Sequence, residues 1–440
     1  MLKGPLKHIF TVGSFTMMSR VLGFVREMLQ SRLIGAGVEQ SAFTLAFAIP
    51  NMARKLFGEG ALTAAFVPIF KLSVEGDGLK EATKLARSVF AMMFLMLLAL
   101  VALGWTALGS FTLFYEPLTA RLKLISVLLA ILLPYMLFIC GAAFGMGVLN
   151  SLSRFKASSM MPCLLNVCWI LALALLAFFP GLEVKYRVCL VSIAILFGGL
   201  AQLCFMLICM QRAGVNLFQR PGLPWNDTKV RLVWKNTFLA AVGAGAVQIN
   251  YMLDQILGQI AAPWAAGVIG YAERLIDLPL GVVGVAFGTV LLPTFAGHFA
   301  KGDEAGARER LKKSILQISA LMIPAAVITF FCAPLIVKII YEGHAFDTTA
   351  TLRVARALAV YGLGLAFFGI QKCLVPFFQA RKDMKTPLRV TLATVILNAA
   401  LNILAVFLLP QEFRHVGLAA STSFCAFIGC LLLYLRLPKS

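Results

Sequence analysis

The sequence has few charged residues, and acidic residues are the scarcer kind. Only 13% of its 440 residues are charged, with 39 lysines and arginines against 19 aspartates and glutamates. A soluble protein of this length carries roughly a quarter charged residues, because its domains need a polar surface. With 60% hydrophobic residues and a mean hydropathy of +0.89, the chain is too apolar for a soluble enzyme or a disordered protein.

Several patterns that carry chemistry are also absent. The sequence has no GxxxxGK[ST] phosphate-binding loop, no CxxC pair and no Cys/His cluster, so we expect no ATPase, no metal centre of that kind and no enzyme. The first apolar stretch is interrupted by Arg20 and Arg26 and lacks a small-residue cleavage site, which argues against a signal peptide. Nearly all of the ten cysteines lie in apolar runs and are expected to be small buried hydrophobes.

What the sequence does contain is a series of long apolar stretches. They reach the ~20 residues that a helix needs to cross a bilayer, and they are too continuous for the alternating strands of a membrane β-barrel. The fold class is therefore an all-α polytopic membrane protein with about twelve transmembrane helices. We predict the helices at 8–34, 41–72, 85–114, 121–150, 157–179, 186–211, 233–261, 266–298, 313–340, 351–380, 386–409 and 416–436.

The distribution of lysine and arginine predicts the orientation. If both termini are cytoplasmic, the inside segments carry about three times as many of these residues as the outside segments, as the positive-inside rule requires. This topology absorbs most of the net charge of +20, so no nucleic-acid partner is needed.

The two halves of the chain resemble each other on either side of the polar break at 211–231. AFVPIF (65–70) and VLLPTF (290–295) end corresponding helices, and Pro162 and Pro387 share the same offset. An even number of helices in each half predicts parallel repeats related by an axis along the membrane normal. We therefore predict two six-helix lobes, at 1–212 and 233–440, joined by a cytoplasmic linker at 213–232. Two such lobes around a central cleft suit alternating access.

Charges inside the predicted spans mark the candidate site, because each costs at least ~2.5 kcal/mol at a helix centre. Few carboxylates lie near enough in sequence to neutralise the arginines on the first, second and eighth helices. Guanidinium groups stay charged in a dry site and match phosphate geometry, so the excess favours an anionic, phosphate-bearing substrate. The charges are Arg20, Arg26, Glu27, Arg32, Arg54, Lys55, Glu59, Asp254, Glu273, Arg274, Asp277 and Lys372.

The second helix carries two further signals. IPN (49–51) and GEG (58–60) lie inside it, which predicts an interrupted helix of the kind that lines a cavity. Asn51 and Glu59 therefore join the arginines as candidate substrate-binding residues, and Glu59 is also a candidate counter-charge or proton carrier.

Three segments closely resemble the MurJ (MviN) family of lipid II flippases, within the multidrug/oligosaccharidyl-lipid/polysaccharide exporter superfamily. They are SRVLGFVRE (19–27), AFAIPNMARKLFGEGALTAAFVPIF (46–70) and YAERLIDLPLGVVGVAFGTVLLPTF (271–295). The resemblance implies a V-shaped fold of two six-helix bundles and export of lipid II across the bacterial inner membrane. It also implies that Arg20, Arg26, Arg54 and Arg274 engage the pyrophosphate and head group, with Glu27 conserving the charge of a usual aspartate.

Two departures from the family pattern stand out. The family often has DAF where this chain has Ser41-Ala42-Phe43, and fourteen helices where this chain is expected to have twelve, without the last two. A sodium site found in some members has plausible matches, although Asn402 stands where a carboxylate is expected. Those matches are Asp254, Asn398, Asn402 and Thr422.

Other functions remain open on these residues. A flippase for a different lipid-linked sugar or a drug/sodium antiporter has the same fold, although an antiporter favours acidic cavity residues. A non-transporting cell-wall scaffold needs no arginine inside its spans.

The expected partners are lipid II, membrane lipids and cell-wall synthesis enzymes. We expect a monomer with no cofactor beyond a sodium ion, and coupling to the membrane potential.

Overall fold

The computed structural model describes residues 3–58, 60–114, 118–219 and 223–438. Over these residues it is almost entirely helical, with a single β-bridge between Gly343 and Phe346. The helices are α1 (Lys3–Ile34), α2 (Val38–Ala53), α3 (Ala61–Gly76), α4 (Gly78–Phe114), α5 (Ala120–Leu132), α6 (Tyr135–Ser151), α7 (Phe155–Ala177), α8 (Val184–Arg212), α9 (Thr228–Ala261), α10 (Ala265–Ala300), α11 (Glu304–Tyr341), α12 (Thr348–Ala380), α13 (Lys385–Leu408) and α14 (Arg414–Leu435).

These helices confirm the all-α prediction, and two of the twelve predicted helices are each divided. A π-helical turn at Arg54–Gly58 separates α2 from α3, which confirms the predicted interruption of the second helix. The fourth predicted helix divides between α5 and α6 at Pro134, which was not predicted. Proline lacks the N–H that the next helical hydrogen bond needs, so the helix restarts there.

The chain is a multi-pass membrane protein. Counting each divided pair as one span, nine spans within the described residues are long and apolar enough to cross a bilayer. The remaining three predicted spans are α1, α9 and α10, which all contain charges. Large apolar side chains on the spanning helices, such as Phe331 and Phe407, are exposed as lipid-facing residues are.

The helices form two compact units. The first comprises Met1–Ile34 and Ala42–Gln248, and its core includes Leu85, Met93 and Ile195. The second comprises Gly35–Ser41 and Ile249–Ser440, with Phe295 and Leu365 in its core. The division falls inside α9, whereas the predicted lobes were divided by residues 213–232.

The segment between α8 and α9 packs on α4 in the first unit. Arg87 donates from Nε to the carbonyl oxygen of Asn216 at 2.6 Å, and Ser88 donates to that of Leu223 at 2.9 Å. Lys229 at the start of α9 pairs with Asp77, in the turn between α3 and α4. These contacts fix the segment against its own unit.

Candidate substrate-binding site

Arg26 lies on α1 and is held by partners from two helices of the first unit. Its NH1 donates to Asn166 Oδ1 of α7 at 3.0 Å, and its NH2 pairs with Glu27 Oε1 at 2.5 Å. The two charged side chains are only 13% and 15% exposed. Glu27 is thus one of the few carboxylates near enough in sequence to pair with an arginine of the site.

An aromatic cluster supports the Arg26 guanidinium. Its Cζ lies 4.3 Å from the ring centroid of Trp169, which is 3% exposed. Phe43 and Phe47 of α2 stack on each other and meet the Trp169 ring edge-on, with centroids 5.7 and 5.6 Å away. A cation over a desolvated indole is stabilised by the ring quadrupole. The cluster therefore fixes the position of the guanidinium without cancelling its charge.

Asn166 joins α7 to α1 through its amide. Its Nδ2 donates to the Ser19 carbonyl oxygen at 3.1 Å while its Oδ1 accepts from Arg26. The Nε of Arg26 is buried and has no hydrogen-bond partner among the described residues. This buried N–H is a donor whose hydrogen-bonding capacity is not used within the described residues.

Arg20 lies on the same helix in a different environment. It is exposed, and it has no ion pair or hydrogen bond within the described residues. Six residues separate it from Arg26, about 240° around a regular helix, so the two side chains leave α1 in different directions. Arg20 is therefore open to an anion from solvent, whereas Arg26 is partly buried.

The π-helical turn places Arg54 beside Asn51. Arg54 Nε donates to Asn51 Oδ1 at 3.1 Å, and the guanidinium is partly buried. A π turn widens the backbone and often occurs at functional sites. The structure thus brings together two predicted residues of the second helix. Glu59, the third, lies outside the described residues.

Arg274 belongs to the second unit and lies on α10 with Glu273 and Asp277. Arg274 and Asp277 are exposed, while Glu273 is partly buried and accepts from the hydroxyl of Tyr361 at 3.4 Å. Tyr251 on α9 lies within electrostatic range of all three charges. This arginine therefore has acidic neighbours, unlike Arg20.

The four residues predicted for a sodium ion are adjacent in the second unit. Asn402 Nδ2 donates to Asp254 Oδ1 and, at 3.0 Å, to Asn398 Oδ1. Asn398 Nδ2 in turn contacts Thr422 Oγ1 at 3.4 Å. Asn402 is completely buried, so the amide–carboxylate network is shielded from water. We call these four residues the α9–α13–α14 polar cluster.

The donor set of this cluster suits a hard cation. The buried Oδ1 atoms of Asn402 and of neighbouring Asn250 have no hydrogen-bond partner within the described residues. Carboxylate, amide and hydroxyl oxygens are the ligands that such cations prefer. The residues of the cluster therefore fit a small monovalent cation, with Asp254 as its carboxylate.

Ser41, which replaces the usual aspartate of the family, is also accounted for. Both its carbonyl oxygen and its hydroxyl accept from Gln259 Nε2, at 2.6 and 2.9 Å. Tyr271 donates to the carbonyl oxygen of Gly35, whose φ of +80° glycine alone adopts easily. Segment 35–41 is thus fixed within the second unit by neutral hydrogen bonds.

Two residues of the Arg26 site were not predicted from the sequence. Trp169 and Asn166 lie about 140 residues away from Arg26 in the chain, and only the packing of α7 on α1 brings them together. A signal for Asn166 was present, since an amide in an apolar span needs a partner. The prediction for the arginine site included Asn51 on the second helix but not Asn166.

Comparison with known proteins identifies the family of the chain. The family described as "Lipid II flippase MurJ" matches residues 30–440. A "Probable lipid II flippase MurJ" of Rhizobium tropici is 33% identical over 99% of this chain and 81% of the relative. The "Lipid II flippase MurJ" of Burkholderia cenocepacia is 31% identical over 98% of this chain and 84% of that protein.

Solved structures show the same fold. A "Lipid II flippase MurJ, inward closed conformation" superposes with a TM-score of 0.81 at 26% identity, over 96% of this chain and 86% of the other. An inward-facing multidrug resistance MATE family transporter of the MOP superfamily superposes with a TM-score of 0.76, over 97% of each chain, at 14% identity, which supports the fold alone. From its sequence and its fold, the chain belongs to the lipid II flippase MurJ family.

Proposed function

We propose that the chain moves lipid II, the undecaprenyl-pyrophosphate-linked peptidoglycan precursor, from the inner to the outer leaflet of the bacterial inner membrane. Family membership supports this substrate over another lipid-linked sugar or a drug. The observation that carries the proposal is Arg26, a guanidinium inside a membrane protein that is positioned by Trp169, Asn166 and Glu27. A scaffold protein has no use for so costly a group.

In this mechanism the arginines act by charge and position. Arg20 offers an exposed guanidinium, Arg54 a partly buried one, and Arg26 a fixed positive centre with a free N–H. Pyrophosphate oxygens accept bidentate hydrogen bonds from such groups. Arg274 on α10 is proposed to contact the head group. No covalent step is involved, so the protein is a transporter and not an enzyme.

We propose alternating access as the transport cycle. Solved MATE-family neighbours include both inward-facing and outward-facing conformations of a related fold. A ligand shifts such an equilibrium only through its different affinity for the two states. An inside-negative potential contributes ~2.3 kcal/mol per charge per 100 mV to the movement of the anionic substrate or the return of the cationic site.

The α9–α13–α14 polar cluster is the proposed sodium site. Asp254 supplies the carboxylate, while Asn398, Asn402 and Thr422 supply neutral oxygens.

Both termini are proposed to be cytoplasmic. A monomeric state and association with cell-wall synthesis enzymes stay predictions.

The function is tested in a bacterium depleted of its own lipid II flippase. Growth and inner-leaflet lipid II are followed for the parent chain, Arg26→Ala and the matched variant Arg32→Ala, which removes an exposed arginine from the same helix. We expect the parent and Arg32→Ala to restore growth and Arg26→Ala to fail despite normal membrane insertion. Normal growth with Arg26→Ala would show that the anion site is elsewhere.

A further inference from the structure

A second cationic feature lies in the first unit where α6 ends, α7 begins and α8 ends. A cavity of about 550 Å³ opens there between the three helix ends. Its walls are apolar and include Leu149, Met160 and Phe205, and its lining also holds Arg154, Lys156 and Arg212. We call it the α6–α7–α8 pocket. Its volume lies within the range of roughly 300–1,000 Å³ that small-molecule sites occupy.

The three cations have no side-chain partner among the residues that the structure describes. None of their side chains forms an ion pair or a hydrogen bond within the described residues, and no acidic residue lines the pocket. Elsewhere in the chain the exposed cations Lys84, Lys185 and Lys313 each pair with a nearby glutamate. The charge of the pocket is therefore left for an external anion.

Local backbone geometry places these cations at the pocket. Ser153 adopts a left-handed conformation with φ of 58°, and the Arg154 amide donates to the Leu149 carbonyl oxygen at 2.8 Å. This tight turn starts α7 directly after α6 and positions Arg154 and Lys156 together. Arg212 is the last residue of α8, near Cys209 of the lining. Three elements thus deliver positive charge to one opening.

We propose that the α6–α7–α8 pocket binds an anionic glycerophospholipid, phosphatidylglycerol, with its phosphodiester at the three cations and an acyl chain against the apolar walls. The topology prediction puts all three cations on the cytoplasmic side, at head-group depth. Basic pockets between transmembrane helices on that side recognise anionic lipid head groups. A soluble anion makes no contact with the apolar walls. A zwitterionic lipid also has a phosphodiester, but its choline cation cancels the head-group charge and is repelled by the three cations of the pocket.

The test measures lipid retained by the purified full-length protein in mild detergent, by native mass spectrometry. Palmitoyl-oleoyl phosphatidylglycerol and the matching phosphatidylcholine are added at equal concentrations. We expect the parent to retain phosphatidylglycerol at least ~10-fold more, the ratio that about 1.4 kcal/mol produces. The combined variant Arg154→Gln/Lys156→Gln/Arg212→Gln should bind both lipids within about twofold, since its charge-assisted contacts are gone.

A charge-matched control separates the site from net charge. Lys301→Gln/Arg308→Gln/Lys312→Gln removes the same charge from the second unit, outside any ion pair in the described residues, and should keep the preference. Ala157→Phe leaves the cations intact and fills the apolar part, so it should reduce retention of phosphatidylglycerol. Ala157→Phe also tests the pocket if the triple variant fails to fold.

Three results would overturn the proposal. One is equal retention of the two lipids by the parent, and another is an unchanged preference in both pocket variants. The third is displacement of phosphatidylglycerol from this pocket by equimolar undecaprenyl pyrophosphate, which would make the pocket a substrate site.

Discussion

The two units carry in-span charges of opposite balance. In the first unit basic residues outnumber acidic ones within the spans: Arg20, Arg26, Arg32, Arg54 and Lys55 compared with Glu27 and Glu59. In the second unit acidic residues outnumber basic ones: Asp254, Glu273 and Asp277 compared with Arg274 and Lys372. The Arg26 guanidinium packs against an aromatic cluster, whereas the Asp254 carboxylate accepts hydrogen bonds from amide side chains. The two units share helical architecture and differ in the sign of the charge that is in excess within their spans.

This difference suggests a division of labour. In the proposed function the first unit binds the pyrophosphate, because its guanidiniums outnumber its carboxylates. The second unit binds the cation, because among the described residues the hydrogen-bond partners of Asp254 are neutral amides. The following predictions test that division, starting with the largest expected effect.

Removal of Arg26 should do the most damage. Arg26→Ala removes the cation that pairs with Glu27, whose side chain is only 15% exposed, and breaking such a buried pair typically costs about 3–5 kcal/mol. We expect at least a ~100-fold fall in lipid II transport in reconstituted vesicles, as when a preorganised charge donor is lost. Arg26→Ala/Glu27→Ala should be more stable than Arg26→Ala alone and equally inactive. Recovery of transport in the double variant would mean that Arg26 acts only as the partner of Glu27.

Loss of the Trp169 ring beside the Arg26 guanidinium should reduce transport less than loss of Arg26 itself. Trp169→Leu removes a cation–π contact worth about 0.5–2 kcal/mol, so transport should fall about 2- to 30-fold. Trp169→Phe keeps a ring under the guanidinium and should lose less. Trp105→Phe, at an exposed position, is the control. If Trp169→Leu and Trp169→Phe behave alike, packing alone explains the role of the indole.

The second unit should respond to sodium. The melting temperature of the parent is compared in sodium and potassium chloride of equal ionic strength, because a ligand bound only to the folded state raises it. Asn402→Asp adds a second carboxylate beside Asp254 and should lower the sodium concentration for half of the effect about tenfold, or ~1.4 kcal/mol. Asp254→Asn should abolish it. A parent with no sodium-specific shift contradicts the proposed site.

The smallest effect is expected at the surface pair Lys229–Asp77. Hydrogen bonds from Lys229 and Ser73 lower the pKa of Asp77, so the pair stabilises the fold above the usual aspartate pKa and loses this effect as the pH falls through the lowered value. Both side chains are over 40% exposed, so Lys229→Ala should change the melting temperature little at pH 7. The difference from the parent should shrink as the pH falls below the usual aspartate pKa and should vanish once the pH is below the lowered pKa of Asp77. A large loss at pH 7 would assign the pair a structural role.

The fold was largely predictable because a bilayer requires each helix that crosses it to be apolar and long enough to span it. The twelve predicted stretches reappear, and the interruption near Arg54 followed from IPN and GEG. The break at Pro134 did not follow, because proline alone is ambiguous in these spans. Pro68 and Pro162, for example, lie inside α3 and α7 without ending them. Which proline divides a helix depends on the packing around it.

The candidate site was predictable only in its charges. Arg26 and Glu27 are adjacent in sequence, so their ion pair could have been predicted. The contribution of α7 was not, because contacts across about 140 residues depend on tertiary packing. Likewise, the cluster of Asp254 with Asn398, Asn402 and Thr422 was expected only from resemblance to the family, and the structure brings these residues together.

The most direct test of the division is lipid II binding by the purified protein. The parent is compared with Arg20→Gln/Arg26→Gln/Arg54→Gln in the first unit and Asp254→Asn/Glu273→Gln/Asp277→Asn in the second. We predict that the first triple variant loses lipid II binding by at least ~100-fold, or about 2.7 kcal/mol, while the second keeps it within a few-fold. Loss of binding in the second variant with retention in the first would contradict the account.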